Sequence, residues 1–161
     1  METPNYIPVY VPCKPYIKKW AALKYGPAIL ASSATTEGLF LTACLRAHSM
    51  GAREAKAMAV LSKQGEALLV HLPPCKDPYQ NQGISQYHQR LFAQFIETLF
   101  KEDLVTFCTP PVTGRYWGYT EALFAFAKKY ALEIETDITY ETLKKIEQRH
   151  RKRRAGVLSQ D

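Results

Sequence analysis

Residues 137–154 of this 161-residue chain read DITYETLKKIEQRHRKRR, and this stretch decides how the C-terminal part folds. Its apolar residues recur at helical spacing, as expected of a helix that docks on a core by one face. They are Ile138, Tyr140, Leu143 and Ile146. Asp137 or Thr139 can cap the free N–H groups of the first turn, and Glu141 favours the positive end of the helix dipole. We therefore predict a helix over residues 139–154.

The remaining face of this helix is strongly basic. Its cations are Lys144, Lys145, Arg149, Arg151, Lys152, Arg153 and Arg154. These seven cations lie within eleven residues, where Glu147 is the one acid, so they repel one another unless a polyanion lies opposite. The pattern indicates an acidic partner.

A second helix, predicted over residues 119–131, precedes the basic helix. We expect one of its faces to be buried, and that face comprises Leu123, Phe124, Ala127 and Tyr130. Helix, connection and basic helix are the outline of a helix-turn-helix. The connection, residues 132–137, is longer than the three or four residues of a strict helix-turn-helix, and its acids would repel phosphate. We therefore expect only the C-terminal part of the last helix to meet nucleic acid.

The predicted interface combines phosphate-neutralising cations with side chains that can reach base edges. Its residues are Lys144, Lys145, Gln148, Arg149, Arg151, Lys152 and Arg153. His150 suits a hydrogen bond in the same contact. A secondary contact can come from Lys14, Lys18, Lys19, Arg115 and Trp117. The three lysines can equally form a solvated face beside a buried Trp20, and the two loop residues can equally pin their loop to the core.

The rest of the chain predicts an α+β fold that is mainly helical. Residues 6–12 and 67–72 are strand-like and can form a small sheet, with Pro8 and Pro12 placing the first at an edge. Residues 28–35 read as a short strand or loop. Helices are predicted over 15–25, 37–45 (capped by Thr36) and 85–107, while 49–65 is either a helix or a surface connection. The helices form a bundle ending in the helix-turn-helix-like pair.

We interpret residues 1–161 as a single domain. Its mixed half is 1–83, its helical half is 84–154, and 155–161 form a frayed tail. A hydrophobic content of 47% can build a core, and the net charge of +6 points to nucleic acid first and an anionic membrane surface second. No apolar run approaches the roughly 20 residues that span a bilayer, and no signal peptide is visible, so we expect a cytoplasmic protein.

Catalytic and metal-binding signatures are absent from the sequence. The four cysteines lie far apart with no CxxC pair, and none of GxGxxG, GxxxxGK[ST], HExxH or GxSxG occurs. The four histidines are scattered, and His71, inside an apolar run, is expected to be a satisfied strand histidine. We predict no enzyme activity, no cofactor and no metal site.

Three stretches carry a resemblance to other proteins: FAQFIETLFKEDL, ALFAFAKKYAL and DITYETLKKIEQRHRKR. In this order, over about residues 84–154, they resemble small, largely uncharacterised bacterial proteins of phage-like and mobile genetic elements. Residues 7–27 belong to the same pattern. The resemblance implies a DNA-associated role and transfers no catalytic residue.

Two functions compete at this point. The first is nucleic-acid binding, DNA favoured over RNA, in a regulatory or mobile-element accessory role. The alternative is a non-enzymatic interaction or assembly module, in which the basic helix meets an acidic protein and the aromatic loop 115–119 is an anchor. Only the first should prefer a nucleic-acid sequence or shape.

Overall fold

The computed structural model describes residues 6–32, 34–48, 66–72, 86–109 and 118–158. Within these ranges the chain forms three strands and five helices. In chain order they are β1 (Ile7–Pro12), α1 (Pro15–Tyr25), β2 (Ile29–Leu30), α2 (Thr36–His48), β3 (Ala67–Leu72), α3 (Gln86–Cys108), α4 (Tyr119–Lys129) and α5 (Tyr140–Leu158). The prediction of an α+β, mainly helical fold is therefore confirmed. The prediction for 49–65 lies outside the described residues.

The sheet has the strand order β1-β3-β2. β1 pairs antiparallel with β3, with Val9 opposite Val70, and β2 pairs parallel with β3. β1 therefore lies at an edge, as its two prolines predict, because a proline has no N–H to donate to a neighbouring strand and a central strand has neighbours on both sides. Along β3, Leu68, Val70 and Leu72 alternate inward, so one face of the sheet is buried.

The chain divides into two compact units. The first comprises Met1–Lys14 and Ala21–Ile96, and the second comprises Pro15–Trp20 and Glu97–Asp161. The division cuts through α1 and α3, so neither unit is one continuous segment. It also differs from the predicted division at residues 83 and 84.

In the first unit, α2 approaches the short strand β2 closely. A Cβ at Gly38 would lie 2.2 Å from the backbone oxygen of Ser32, so only glycine fits there. Farther along α2, the ring of Phe40 stacks on Phe95 of α3, with centroids 4.5 Å apart. The start of α2 is capped by Thr35, whose Oγ1 accepts the Gly38 N–H at 3.0 Å. Thr36 was the predicted cap, but it is already the first helical residue, which corrects that prediction by one position.

The second unit is built on an aromatic core. Trp20 of α1 meets Phe100 of α3 edge to face, and Phe100 in turn meets Phe126 of α4. Trp20 Nε1 and the Tyr130 hydroxyl both donate to the Asp103 carboxylate, at 2.9 and 2.5 Å. The polar ends of these large rings are thus satisfied inside the unit, and the shared carboxylate links α1, α3 and the end of α4.

Phe124 corrects the predicted inner face of α4. It is 48% exposed, whereas Phe126 is fully buried. The buried residues of this segment, including its turn, are Ala122, Leu123, Phe126, Ala127 and Tyr130. Leu123, Phe126, Ala127 and Tyr130 follow the i, i+3, i+4, i+7 spacing of one helix face, and Phe124 lies about 100° away from Leu123 around the axis.

α5 continues to Leu158, four residues beyond the predicted end at Arg154. Residues 155–158, predicted as part of a frayed tail, are therefore helical, and residues 159–161 lie outside the described part of the chain. No helix among the described residues is long and apolar enough to cross a lipid bilayer.

Candidate nucleic-acid interface

The start of α5 is fixed by two caps. Thr139 Oγ1 accepts the Thr142 N–H at 3.2 Å, and Glu135 Oε1 accepts the Tyr140 N–H at 3.1 Å. The prediction that Thr139 can cap this helix is confirmed. Asp137, the alternative cap, instead accepts the Glu133 N–H at 2.8 Å and the Lys19 ammonium at 2.7 Å. The helix therefore begins at a defined residue.

The connection between α4 and α5 comprises ten residues, 130–139. The Leu132 N–H bonds the Ala127 carbonyl and the Ala131 N–H bonds the Lys128 carbonyl, which is a Schellman ending of α4. Ala131 and Glu135 both adopt positive φ, at 49° and 74°. The connection is thus a structured turn, and it is much longer than the three or four residues of a helix-turn-helix.

The predicted repulsion from the acids of this connection is reduced by local pairing. Lys19 contacts both Asp137 and Glu133, at 2.7 and 3.5 Å. The hydrogen bond to Asp137 raises the pKa of Lys19. Burial acts to raise the pKa of Asp137, but the hydrogen bonds from Lys19 and the Glu133 N–H outweigh it and lower that pKa. Lys19, a predicted secondary phosphate contact, is therefore already engaged by these two carboxylates.

The inner face of α5 carries a buried carboxylate that we did not predict from the sequence. Glu147 is fully buried, and it accepts hydrogen bonds from the Tyr119 hydroxyl and from Arg151 Nε, both at 2.7 Å. The Arg151 guanidinium also lies over the Tyr119 ring, 5.7 Å from its centroid. Burying a carboxylate is costly unless it is paired and hydrogen-bonded, so Arg151 stabilises the buried charge of Glu147.

The same cluster affects two further groups. Burial, the hydrogen bond to Glu147 and the Glu147 charge together raise the pKa of Tyr119. Burial and the Glu147 charge raise the pKa of Cys108 to about 12, against the opposing effect of Arg151. Both groups therefore stay protonated, and the Tyr119 hydroxyl remains a donor to Glu147.

His150 also faces inward. Its Nε2 lies 2.8 Å from Glu102 Oε1 of α3, and its side chain is only 13% exposed. We had expected His150 to suit a nucleic-acid contact, but this ring already bonds within the unit. A signal for the inner face is present in the sequence: Glu147 and His150 follow Leu143 at positions i+4 and i+7, on the stripe that the apolar residues define.

The outer face of α5 presents the remaining predicted residues. Those that are exposed are Lys145, Gln148, Arg149, Lys152 and Arg153. We call them the α5 outer face. Lys145, Gln148, Arg149 and Lys152 are spaced i, i+3, i+4 and i+7, so they form one strip about 10 Å long. Within the described ranges, no hydrogen bond or ion pair involves the four cations of this face.

Lys144 lies between the two faces. Its side chain is half-buried, and its Nζ is 5.9 Å from the Tyr140 ring centroid. Of the predicted secondary contacts, Lys14 and Lys18 are exposed, while Arg115 and Trp117 lie outside the described residues. Lys14 belongs to the first compact unit, and Lys18 belongs to the second with α5.

The described residues do not form a metal site or a reactive thiol site. Their His, Cys, Asp and Glu side chains do not gather into a group of three that could hold a metal ion. Cys108 is a buried free thiol, and its raised pKa disfavours the reactive thiolate. His71 stacks on Tyr6, with centroids 5.5 Å apart.

Comparison of the chain with protein-family models, with curated proteins and with solved structures gave no match.

Proposed function

We propose that this protein binds nucleic acid through the α5 outer face. The observation that supports the proposal is that α5 carries both a cation paired within the protein and a set of exposed cations. Arg151 is consumed by a buried carboxylate, while Lys145, Arg149, Lys152 and Arg153 are exposed with no acidic partner in the described part of the chain. Mutually repelling cations of this kind are stabilised by a polyanion, which releases its counterions on binding.

Two further features support nucleic acid as the polyanion. Gln148 lies within the cationic strip, and glutamine can form two hydrogen bonds to an adenine edge. The acids of the connection precede the N-terminus of α5, and two of them are occupied by Lys19. The cations lie farther along the helix, so phosphates can approach them. DNA remains favoured over RNA as the first ligand to test, because the sequence resemblance implies a DNA-associated role.

The test is fluorescence-anisotropy binding to labelled duplex DNA across a salt series. The variant Lys145→Gln/Arg149→Gln/Lys152→Gln removes three outer-face cations. We expect the slope of log affinity against log salt to fall by nearly three, at about 0.9 for each lost phosphate contact. Far-UV circular dichroism and the Tm check that the variant folds.

A charge-matched control separates a local effect from net charge. Lys24→Gln/Arg90→Gln/Lys129→Gln removes three exposed cations from α1, α3 and α4, and it should keep most of the wild-type slope. Equal losses in both variants, or no binding by the wild type at low salt, would contradict the proposal. Competition by polyglutamate as strong as that by nucleic acid of equal charge would favour the acidic protein partner instead.

A further inference from the structure

An aromatic pair with one exposed ring joins α4 to the first residue of α5, the helix that carries the α5 outer face. Phe124 of α4 and Tyr140 of α5 are stacked, with ring centroids 5.5 Å apart and planes only 13° from parallel. Phe124 is nevertheless 48% exposed. Single exposed apolar residues are common on protein surfaces. Phe124 differs from such residues because one face of its ring is stacked on Tyr140 while much of the ring stays exposed.

The pair is held in position from two sides. The Tyr140 hydroxyl lies 3.3 Å from Thr120 Oγ1, one turn before Phe124 on α4. The Tyr140 backbone N–H donates to Glu135 Oε1, so the residue that carries this ring is held at the capped start of α5. A ring held in advance loses little conformational freedom when a ligand stacks on it.

Cations border the aromatic pair. Lys144 Nζ is 5.9 Å from the Tyr140 centroid, and Lys128 follows Phe124 by one turn on the same exposed face of α4. The nearest acid on α4, Glu121, directs its carboxylate to the Gly118 N–H, which it accepts at 3.1 Å. From Tyr140 to Lys152 the surface runs about 18 Å along α5, from aromatic to cationic.

Aromatic rings next to a cationic strip are the arrangement that binds single-stranded nucleic acid. Bases stack on the rings while the cations follow the phosphates, and every base has a π-face for this purpose. In a duplex the faces of the bases are already stacked on one another. We propose that an unpaired base of a single-stranded nucleic acid stacks on Phe124, extending the Phe124–Tyr140 stack, with Lys144 at its phosphate. This inference rests on the proposed function, because the α5 outer face would bind the following phosphates.

The test compares a labelled oligothymidylate, an oligouridylate and a duplex of the same length. We expect Phe124→Ala to weaken binding of both single strands about tenfold, as expected for one lost base stack, while duplex binding changes less than about twofold. Phe124→Leu keeps apolar cover over Tyr140 but lacks a π-face, so it should behave like the alanine variant. Tyr87→Ala, which removes an aromatic residue that is 64% exposed on α3, is the matched control.

A direct readout complements affinity. Phe124→Trp should retain single-strand binding, and its added fluorescence should be quenched when oligothymidylate binds. Salt-steep binding that is lost in the triple α5 variant but unchanged by Phe124→Ala, or equal losses for duplex and single strands, would overturn the stacking inference alone. Absence of binding to every nucleic acid would overturn the proposed function and this inference with it.

Discussion

Arg149 and Arg151 lie two positions apart on α5, yet their surroundings are opposite. Arg151 bonds the fully buried Glu147 and lies over Tyr119. Arg149 is exposed and takes part in no ion pair among the described residues. A two-residue step turns a helix by about 200°, so neighbouring cations of one basic run serve different purposes. The charge of a basic stretch is therefore not a measure of the charge available to a ligand.

The largest expected effect separates the two arginines by stability. Arg151→Ala leaves Glu147 buried with the Tyr119 hydroxyl but without its cation, which should lower the free energy of unfolding by about 3 kcal/mol. Arg149→Ala should change it by less than about 0.5 kcal/mol, as at most exposed positions. Urea unfolding of both variants measures the difference. Equal values for the two would remove the distinction between the faces.

The next effect concerns the second partner of Glu147. Tyr119→Phe deletes the hydroxyl that donates to this carboxylate and should cost about 2 kcal/mol, the usual value of a hydrogen bond to a charged group. Tyr140→Phe is the matched change at a tyrosine whose hydroxyl lies near the uncharged Thr120 Oγ1, at 3.3 Å, and it should cost less than about 0.5 kcal/mol. A Tyr140→Phe variant as unstable as Tyr119→Phe would contradict the assignment of the inner face.

The inner face should also respond to alkali. The pKa of Cys108 is raised to about 12 in the folded chain, so above about pH 9 the unfolded thiol loses a proton that the folded one retains. The free energy of unfolding should therefore fall as pH rises, by at most about 1.4 kcal/mol per pH unit for this group. Cys108→Ala should have a shallower decline between about pH 9 and pH 12, measured by urea unfolding; an unchanged decline would argue against this assignment.

The smallest expected effect is on binding by a single lysine. Lys152→Gln should reduce the salt slope for nucleic acid by about 0.9. Lys101, which pairs with Glu97 at 3.1 Å, is the internal comparison, and Lys101→Gln should leave the slope nearly unchanged. Equal reductions of the salt slope by the two variants would show that an ion pair within the protein does not prevent a lysine from binding phosphate.

Periodicity accounts for the parts of this structure that follow from sequence. The helix predicted over 85–107, the buried position of Leu143 on α5, the edge position of β1 and the Thr139 cap follow from local patterns, and the structure confirms each. We did not predict the burial of Glu147, because an acidic residue is normally assigned to the exposed face of a helix. Its spacing from Leu143 nevertheless places it on the buried stripe. Its partner Tyr119 lies 28 positions away, and no local pattern indicates that pairing.

Phe124 was misplaced for a related reason. An aromatic residue in an apolar helix is usually assigned to the core, but the geometry of the α4 stripe selects Phe126 instead. The use of Lys19 by Asp137 likewise depends on a contact across 118 positions. The sequence therefore shows which residues are cationic, while tertiary contacts decide which of those cations are available to bind a ligand.

The discontinuous composition of the second unit bears on the order in which the chain folds. The segment Pro15–Trp20 is synthesised early, whereas its partner Asp103 lies 83 positions after Trp20 and Asp137 lies 118 positions after Lys19. Until those partners emerge, this short segment has no core to enter, and the loop it must close carries an entropic cost that grows with length. Contacts so distant in sequence slow folding. The contacts that hold the start of the basic helix should therefore be among the last parts of the molecule to form.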